Sequence, residues 1–284
     1  MDVRKDPVII GALGGSGTRV FTRIARHAGI FMGSRLNSYE DSEPIIDFYD
    51  AWARPYLQVG GCLPDGEQKT AEGKFFNCLE DHLFGLPAHD SLWGVKVPKS
   101  ILMIRFWRQI FPDAKFIHVI RSGLDMAYSA DYNQLHSYGD LVLSQEEQSY
   151  SARLKAISYW CRVNLSAASF GETDLGEQYL RIRFEDLCTE PARIVRQIFD
   201  FLEASDRSKL SAAIAEVSFP ETIGRWRTHP VEEVYEIMRL GRPGLERFRY
   251  WNSLIWQELG RAVEAPRWKR WFFQRTAMRH LPAW

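Results

Sequence analysis

Residues 8–19, Val-Ile-Ile-Gly-Ala-Leu-Gly-Gly-Ser-Gly-Thr-Arg, restrict the fold of this chain more than any other stretch. Val8, Ile9 and Ile10 are a short apolar, β-branched run, the pattern of a buried strand. Gly11, Gly14, Gly15 and Gly17 then punctuate a loop. From Thr18 the pattern turns helical, with Val20, Phe21, Ile24 and Ala25 sharing a face and Gly29 placed to stop it. Strand, glycine-rich loop and helix start together make an anion cradle: glycine lets the backbone approach, and amides at a helix start favour negative charge. The same pattern also suits a tight strand-to-helix turn in any α/β protein. It is not a Walker A loop, which needs Lys before Ser or Thr, because Gly17 precedes Thr18. Nor do the glycines from Gly11 follow the Gly-x-Gly-x-x-Gly spacing of a dinucleotide fingerprint.

At 284 residues the chain is long enough to bury a core. Its 36 basic and 36 acidic residues cancel, which argues against a general nucleic-acid binder, so an anion site must be built from local cations. Cys62, Cys78, Cys161 and Cys188 lack paired metal-ligand spacing and read as buried, reduced thiols, with no metal cluster expected. The charged amino terminus enters the first strand at once, leaving no room for a signal peptide, and no apolar run is long enough to span a bilayer. These features lead to the expectation of a cytoplasmic enzyme.

The remaining chain alternates strands and helices. Residues 31–42 have turn chemistry and predict a loop over the carboxyl edge of the sheet. Pro44 suits the first turn of a helix through Ile45, Ile46, Phe48, Tyr49 and Trp52. Residues 58–66 read as a linker, and a helix is expected from about Glu67 towards Phe84. The stretch from Trp93 predicts a short strand closed by Pro98, with Ser100 capping a helix that carries Ile101, Leu102, Ile104 and Phe106. A buried strand over 115–120 runs into Arg121-Ser-Gly and a helix from Leu124. A helical pattern covers Gln145 to about Phe170. A strand over 179–184, a turn at Glu185-Asp-Leu and a helix opened by Pro191 follow. This alternation predicts an α/β fold: one domain over 1–284, with a mainly parallel sheet flanked by helices on both faces.

The segment Gly15-Ser16-Gly17-Thr18-Arg19 resembles the 5′-phosphosulfate loop of sulfotransferases that use 3′-phosphoadenosine 5′-phosphosulfate (PAPS). Two later stretches extend that resemblance, which spans about residues 7–228. Arg121 leaves a strand end and Ser129 follows eight residues on, the positions that hold the 3′-phosphate in the family. A planar guanidinium suits that role by pairing bidentately with phosphate oxygens. Leu180-Arg-Ile-Arg-Phe-Glu-Asp-Leu resembles the family's strand before the late helix, with Phe184 where a Tyr often reaches adenine. Ile223-Gly-Arg-Trp-Arg resembles the late Gly-x-Trp loop, which implies Arg225 or Arg227 near the 3′-phosphate and Trp226 beside the adenine. The resemblance implies a P-loop NTPase-like sulfotransferase fold, with Gly14, Gly15, Ser16, Gly17, Thr18 and Arg19 on the phosphosulfate. It also implies metal-independent, in-line transfer from PAPS to a hydroxyl of a sugar, lipid or small molecule.

The chain departs from many relatives at Gly15, where they carry Lys or Arg. The cation for the leaving phosphate must then come from elsewhere. Arg19 starts the same helix, and Val95-Lys-Val-Pro resembles the Lys-x-Pro strand end of glycan and tyrosylprotein sulfotransferases, which makes Lys96 the other candidate. Lys99 is instead a candidate for meeting the acceptor. For the general base, Asp41 and Glu40 fit by position, although Asp41 equally suits the start of the following helix. His118, inside a strand, reads as a core hydrogen-bonding residue, and His136 and His229 are weaker candidates.

Residues 265–284 interleave Arg267, Lys269, Arg270, Arg275 and Arg279 with Trp268, Trp271, Phe272, Phe273 and Trp284. This pattern predicts a helix docked on the domain with its cations outward, and it also suits peripheral contact with an anionic membrane. Two rival functions stay open: a P-loop phosphotransferase, and a non-catalytic adenosine-bisphosphate-binding protein. The sequence leaves the acceptor and the oligomeric state undetermined.

Overall fold

The computed structural model describes residues 6–88 and 91–281. Four parallel strands, β1 (Val8–Ala12), β2 (Gly94–Lys96), β3 (Lys115–Ile120) and β4 (Tyr179–Arg183), form a sheet in the order β2-β1-β3-β4. β1 and β2 are buried along their whole length and β3 from Phe116 onward, as suits parallel strands covered on both faces. Ile10 pairs with Lys96 and Ala12 with Val119, so the three strands end at one edge. From β1 the chain passes to β2 on one side, then returns to β3 on the other. That reversal is a topological switch point, which opens a crevice beyond the carboxyl end of β1.

By internal contacts the chain divides into two units, Met1–Ile120 with Ser166–Ser218 and Arg121–Leu165 with Phe219–Trp284. The first holds the sheet. Its helices are α1 (Arg19–His27), α2 (Glu43–Gln58), α3 (Asp65–His82) and α4 (Ile104–Ile110). The second begins with α5 (Gly123–Met126) and α6 (Asn133–Val142), and α7 (Ala152–Phe170) contributes residues to both. The first resumes with α8 (Phe184–Thr189), α9 (Pro191–Phe201) and α10 (Leu210–Ala215). The second ends with α11 (Val231–Arg247), α12 (Ser253–Glu264) and α13 (Arg267–Arg275). Phe21, Ile24 and Ala25 of α1 are buried, the face its spacing predicts. Pro44 sits in the first turn of α2, as expected. Phe75 packs edge-to-face on Phe48, Phe106 and Trp107, pairs worth ~0.5–1.5 kcal/mol each beyond area burial.

Several local expectations are corrected. Ser100 caps nothing: Pro98–Ile101 is a 3-10 turn, and the Ser100 hydroxyl lies 2.8 Å from the Tyr49 hydroxyl, which also accepts from the Trp107 indole at 2.6 Å. A buried phenol needs partners, and this demand outweighs capping propensity. The helix after Arg121 is a single turn, so Ser129 lies beyond its end. Residues 145–151 are a 3-10 turn and loop before α7, while 133–142 form a helix that the pattern did not signal. The expected turn at Glu185-Asp-Leu is helix α8. Of the four cysteines Cys161 is buried, whereas Cys62 is exposed and the other two are half-buried.

The carboxy-terminal helix exists but lies differently from expectation. No residue of α13 is buried, and Trp268, Trp271 and Phe272 face outward along with cations. Arg270 turns inward instead, to Glu232 at 2.7 Å and the Ala265 carbonyl at 3.0 Å. Trp284 lies outside the described residues. Among the described residues no helix is long and apolar enough to cross a membrane.

Candidate active site

The loop 13–18 leaves β1 at the switch point. Its chain reversal depends on Gly15 and Gly17, both at a φ near +80°, where a side chain would be strained. Gly17 carries a second constraint: a Cβ there would lie 2.4 Å from the Phe184 ring. Phe184, the first residue of α8, thus packs directly on the loop. Helix α1 has no side-chain cap and no acidic residue in its first turn, so its positive end is not neutralised locally. Ser16 and Thr18 are buried, while Gly15 and Arg19 are exposed.

Next to this loop, at the carboxyl end of β2, stands Lys96. Its side chain is only 2% exposed, and its ammonium donates to Asp41 Oδ1 and to the Tyr39 carbonyl at 2.5 Å. Burial pulls the Lys96 pKa below its usual range, while the Asp41 charge opposes that pull. Arg19 lies over the Tyr39 ring, 5.3 Å from its centroid. Glu40 adopts φ +62° and is held by Arg23 at 2.9 Å and Arg26 at 2.8 Å. Lys96, Asp41 and Tyr39 with Arg19 therefore form one polar cluster, whereas Glu40 points its carboxylate at two guanidinium groups of α1. Lys99 lies apart and pairs with Asp50.

The loop bearing Tyr39 and Asp41 is fixed from beneath by residues that no motif flagged. The Ser42 amide donates to the Lys96 carbonyl at 3.2 Å. The buried His82 ring bridges two groups, with Nε2 at 2.9 Å from the Gly94 carbonyl and Nδ1 at 2.8 Å from the Ser42 hydroxyl. The carbonyl only accepts, so Nε2 carries the proton and Nδ1 accepts from Ser42. Burial pushes the His82 pKa down to about 4, against the opposing pull of the Gly94 hydrogen bond. Asn37 Oδ1 accepts from the amides of Tyr39 and Asp41, closing the turn. His118 is a core residue as expected, 2.5 Å from the Tyr179 hydroxyl.

The second unit carries a cationic cluster of its own. Arg121 is 4% exposed and donates to the Thr222 hydroxyl at 2.8 Å, while its carbonyl accepts from the Trp160 indole at 3.0 Å. Asp125 is fully buried and accepts from the Gly224 amide at 2.8 Å, pinning the 222–228 loop where Gly224 takes φ +80°. Burial raises the Asp125 pKa, while the Gly224 amide and Arg121 and Arg225 oppose the rise. Arg225 donates to the Thr222 and Tyr128 carbonyls; burial and Arg121 lower its pKa. Arg121 and Asp125 thus act on Arg225 in opposite directions, the like charge lowering its pKa and the carboxylate raising it. Ser129 accepts from the Asp131 amide at 3.1 Å. Trp226 is wholly buried, and Arg227, half-buried, lies 5.8 Å from its ring centroid. The family resemblance pointed to Arg121 and to Arg225 or Arg227 but not to Asp125 or Thr222, whose partners lie about a hundred residues away.

Residues 7–207 match the family model described as the sulfotransferase family. Among solved structures, the sulfotransferase domain of the Synechococcus PCC 7002 olefin synthase matches over 88% of this chain and 97% of its own, with 18% identity and a TM-score of 0.51. That likeness shows a shared fold. A sulfotransferase from Alicyclobacillus acidocaldarius is 18% identical over 87% of this chain and 100% of its own, with a TM-score of 0.43. The sulfotransferase domain from the curacin biosynthetic pathway is 14% identical over 77% and 85%, with a TM-score of 0.47. No curated protein matches the sequence.

Proposed function

Because the chain belongs to the sulfotransferase family, we propose that it transfers the sulfuryl group of PAPS to the hydroxyl of a sugar, lipid or small molecule. The observation that carries this reading is the buried Lys96 ammonium at the end of β2, with β2 beside the strand that feeds an uncapped, glycine-lined helix start. Fixed positive charge beside helix-start amides suits an anion whose charge grows during reaction.

In the first unit, Gly14, Gly15, Ser16, Gly17, Thr18 and Arg19 would hold the 5′ side of the nucleotide and Phe184 would give an apolar contact; in the second, the family resemblance assigns Arg121, Ser129 and Arg225 or Arg227 to a 3′-phosphate. When bound, PAPS supplies the sulfuryl group. Asp41 accepts the proton of the acceptor hydroxyl as its oxygen forms the new bond to sulfur. Lys96 and the loop amides stabilise the negative charge left on the phosphate oxygen when the old sulfur–oxygen bond breaks. Glu40, held by Arg23 and Arg26, positions the turn rather than taking a proton.

Incubation with radiolabelled PAPS and a panel of hydroxyl acceptors, in excess EDTA, tests the reading. Labelled product is expected. Binding of adenosine 3′,5′-bisphosphate without transfer to any acceptor would favour the non-catalytic alternative. Transfer that needs added magnesium and a nucleoside triphosphate would favour the phosphotransferase.

A further inference from the structure

The helix α13 has a face that transfer chemistry does not use. Trp268, Trp271 and Phe272 recur at the i, i+3, i+4 spacing that places side chains on one helical face, and they are 68%, 56% and 60% exposed. In a globular domain such a stripe faces a core. Here the orientation is fixed the other way. Arg270, on the opposite side of the helix, bonds to Glu232 and to the Ala265 carbonyl, and Met278, just beyond, is fully buried. The inward side is thus polar and anchored, and the aromatic side is left to the outside.

Charge accompanies the stripe. From residue 265 to 281 there are Arg267, Lys269, Arg270, Arg275 and Arg279 and no Asp or Glu, in a chain whose charges otherwise cancel. Lys269 lies 5.4 Å from the Trp268 ring centroid and Arg275 4.5 Å from that of Trp271, so cations flank the rings. A cavity of about 290 Å³ opens beside the helix, lined by Thr228, Trp271, Gln274, Arg275 and Arg279. Two guanidinium groups, an amide and a hydroxyl around an aromatic wall form a donor set for a phosphate group.

We propose that the exposed face of α13 binds the surface of an anionic phospholipid bilayer, with the Arg275–Arg279 cleft taking a headgroup phosphate. Aromatic rings sit at the boundary between headgroups and acyl chains while Lys and Arg stay at the phosphate level. A second copy of the chain would set this cationic face against itself, whereas an anionic bilayer complements its charge.

Co-sedimentation of the full chain with vesicles tests this directly, comparing pure phosphatidylcholine with phosphatidylcholine and phosphatidylglycerol at about 7:3. Binding at least about tenfold tighter to the anionic vesicles is expected, weakening as salt is raised. Trp268→Ser/Trp271→Ser/Phe272→Ser should lower that binding by about tenfold or more, and Arg275→Gln/Arg279→Gln should reduce the preference for anionic lipid. Brominated lipid should quench the tryptophan emission of the wild-type protein and quench the triple variant less. Failure to bind anionic vesicles, or equal binding by the triple variant, overturns the proposal. So does a wild-type dimer that the triple variant dissolves, which would make the face a contact between copies.

Discussion

Lys96 and Asp41, 55 residues apart in the chain, form an ion pair in which the ammonium is 2% exposed and the carboxylate 15%. An ammonium this deeply buried is costly unless paired, and its bonds to Asp41 and the Tyr39 carbonyl hold it against that turn rather than letting it snorkel to solvent. The Gly15 position has no side chain to supply a cation, so a fixed charge on the adjacent strand end takes on that task in the proposed mechanism.

Lys96→Met, which keeps the volume, should lower the rate of sulfuryl transfer by about 10²–10³-fold while changing nucleotide affinity little, because the contact strengthens as charge develops. Arg19→Ala should weaken nucleotide binding as well. Single-turnover transfer at saturating PAPS separates the two. Chemistry in Lys96→Met close to wild type would leave Lys96 structural and pass its role to Arg19.

Arg121 lies against Thr222 in the second unit, under the influence of Arg225 and Asp125. The protein should bind adenosine 3′,5′-bisphosphate in preference to adenosine 5′-monophosphate. Arg121→Ala should remove most of that preference, on the order of 2–4 kcal/mol if a buried charge pair is lost. Calorimetry with both nucleotides measures it, and equal affinities in the wild type would sink the assignment.

Gly17 combines a φ of +82° with the Phe184 ring where a Cβ would go. Gly17→Ala should cost about 1–3 kcal/mol in denaturant unfolding and weaken nucleotide binding, since both the backbone and the ring must shift. Adding Phe184→Ala should recover part of the binding by clearing the space. No coupling between the two substitutions in a double-mutant cycle would show that the ring contact is unimportant.

His82 gives a pH signature. Its folded pKa is about 4 and its unfolded value 6.5, so between these the unfolded chain binds the extra proton. Stability should therefore be unaffected by this group above pH 6.5 and fall as pH drops towards 4, by roughly 3 kcal/mol in all. Urea unfolding at intervals from pH 7 to 5 should give a shallower slope for His82→Asn than for wild type. Parallel slopes would mean that His82 titrates normally.

The sequence by itself determined the parts of this protein whose physics is local. The β-branched run at 8–10, the glycines of the next loop and the apolar face of 20–25 specify strand, reversal and helix within about twenty residues, and β1 and α1 form there. The alternation of buried strands with amphipathic helices likewise required a parallel sheet, because such strands must be covered on both faces. The resemblance singled out Arg121 and Lys96, and the structure places Lys96 at the last position of β2 and Arg121 just after β3.

Tertiary structure alone decided what those residues touch. Nothing near Asp41 or Glu40 distinguishes the carboxylate that meets Lys96 from the one that meets Arg23 and Arg26; the left-handed backbone at Glu40 and the turn around Asn37 make that choice. Ser100 has good capping chemistry, yet it serves the buried Tyr49 phenol 51 residues away. Asp125 has no local motif, because its partner is the Gly224 amide. The aromatic stripe of α13 has the spacing of a core-facing helix, and the inward bonds of Arg270 turn it to the outside. In each case the outcome depends on a partner that the chain brings near only on folding, and local pattern carries no information about that distance.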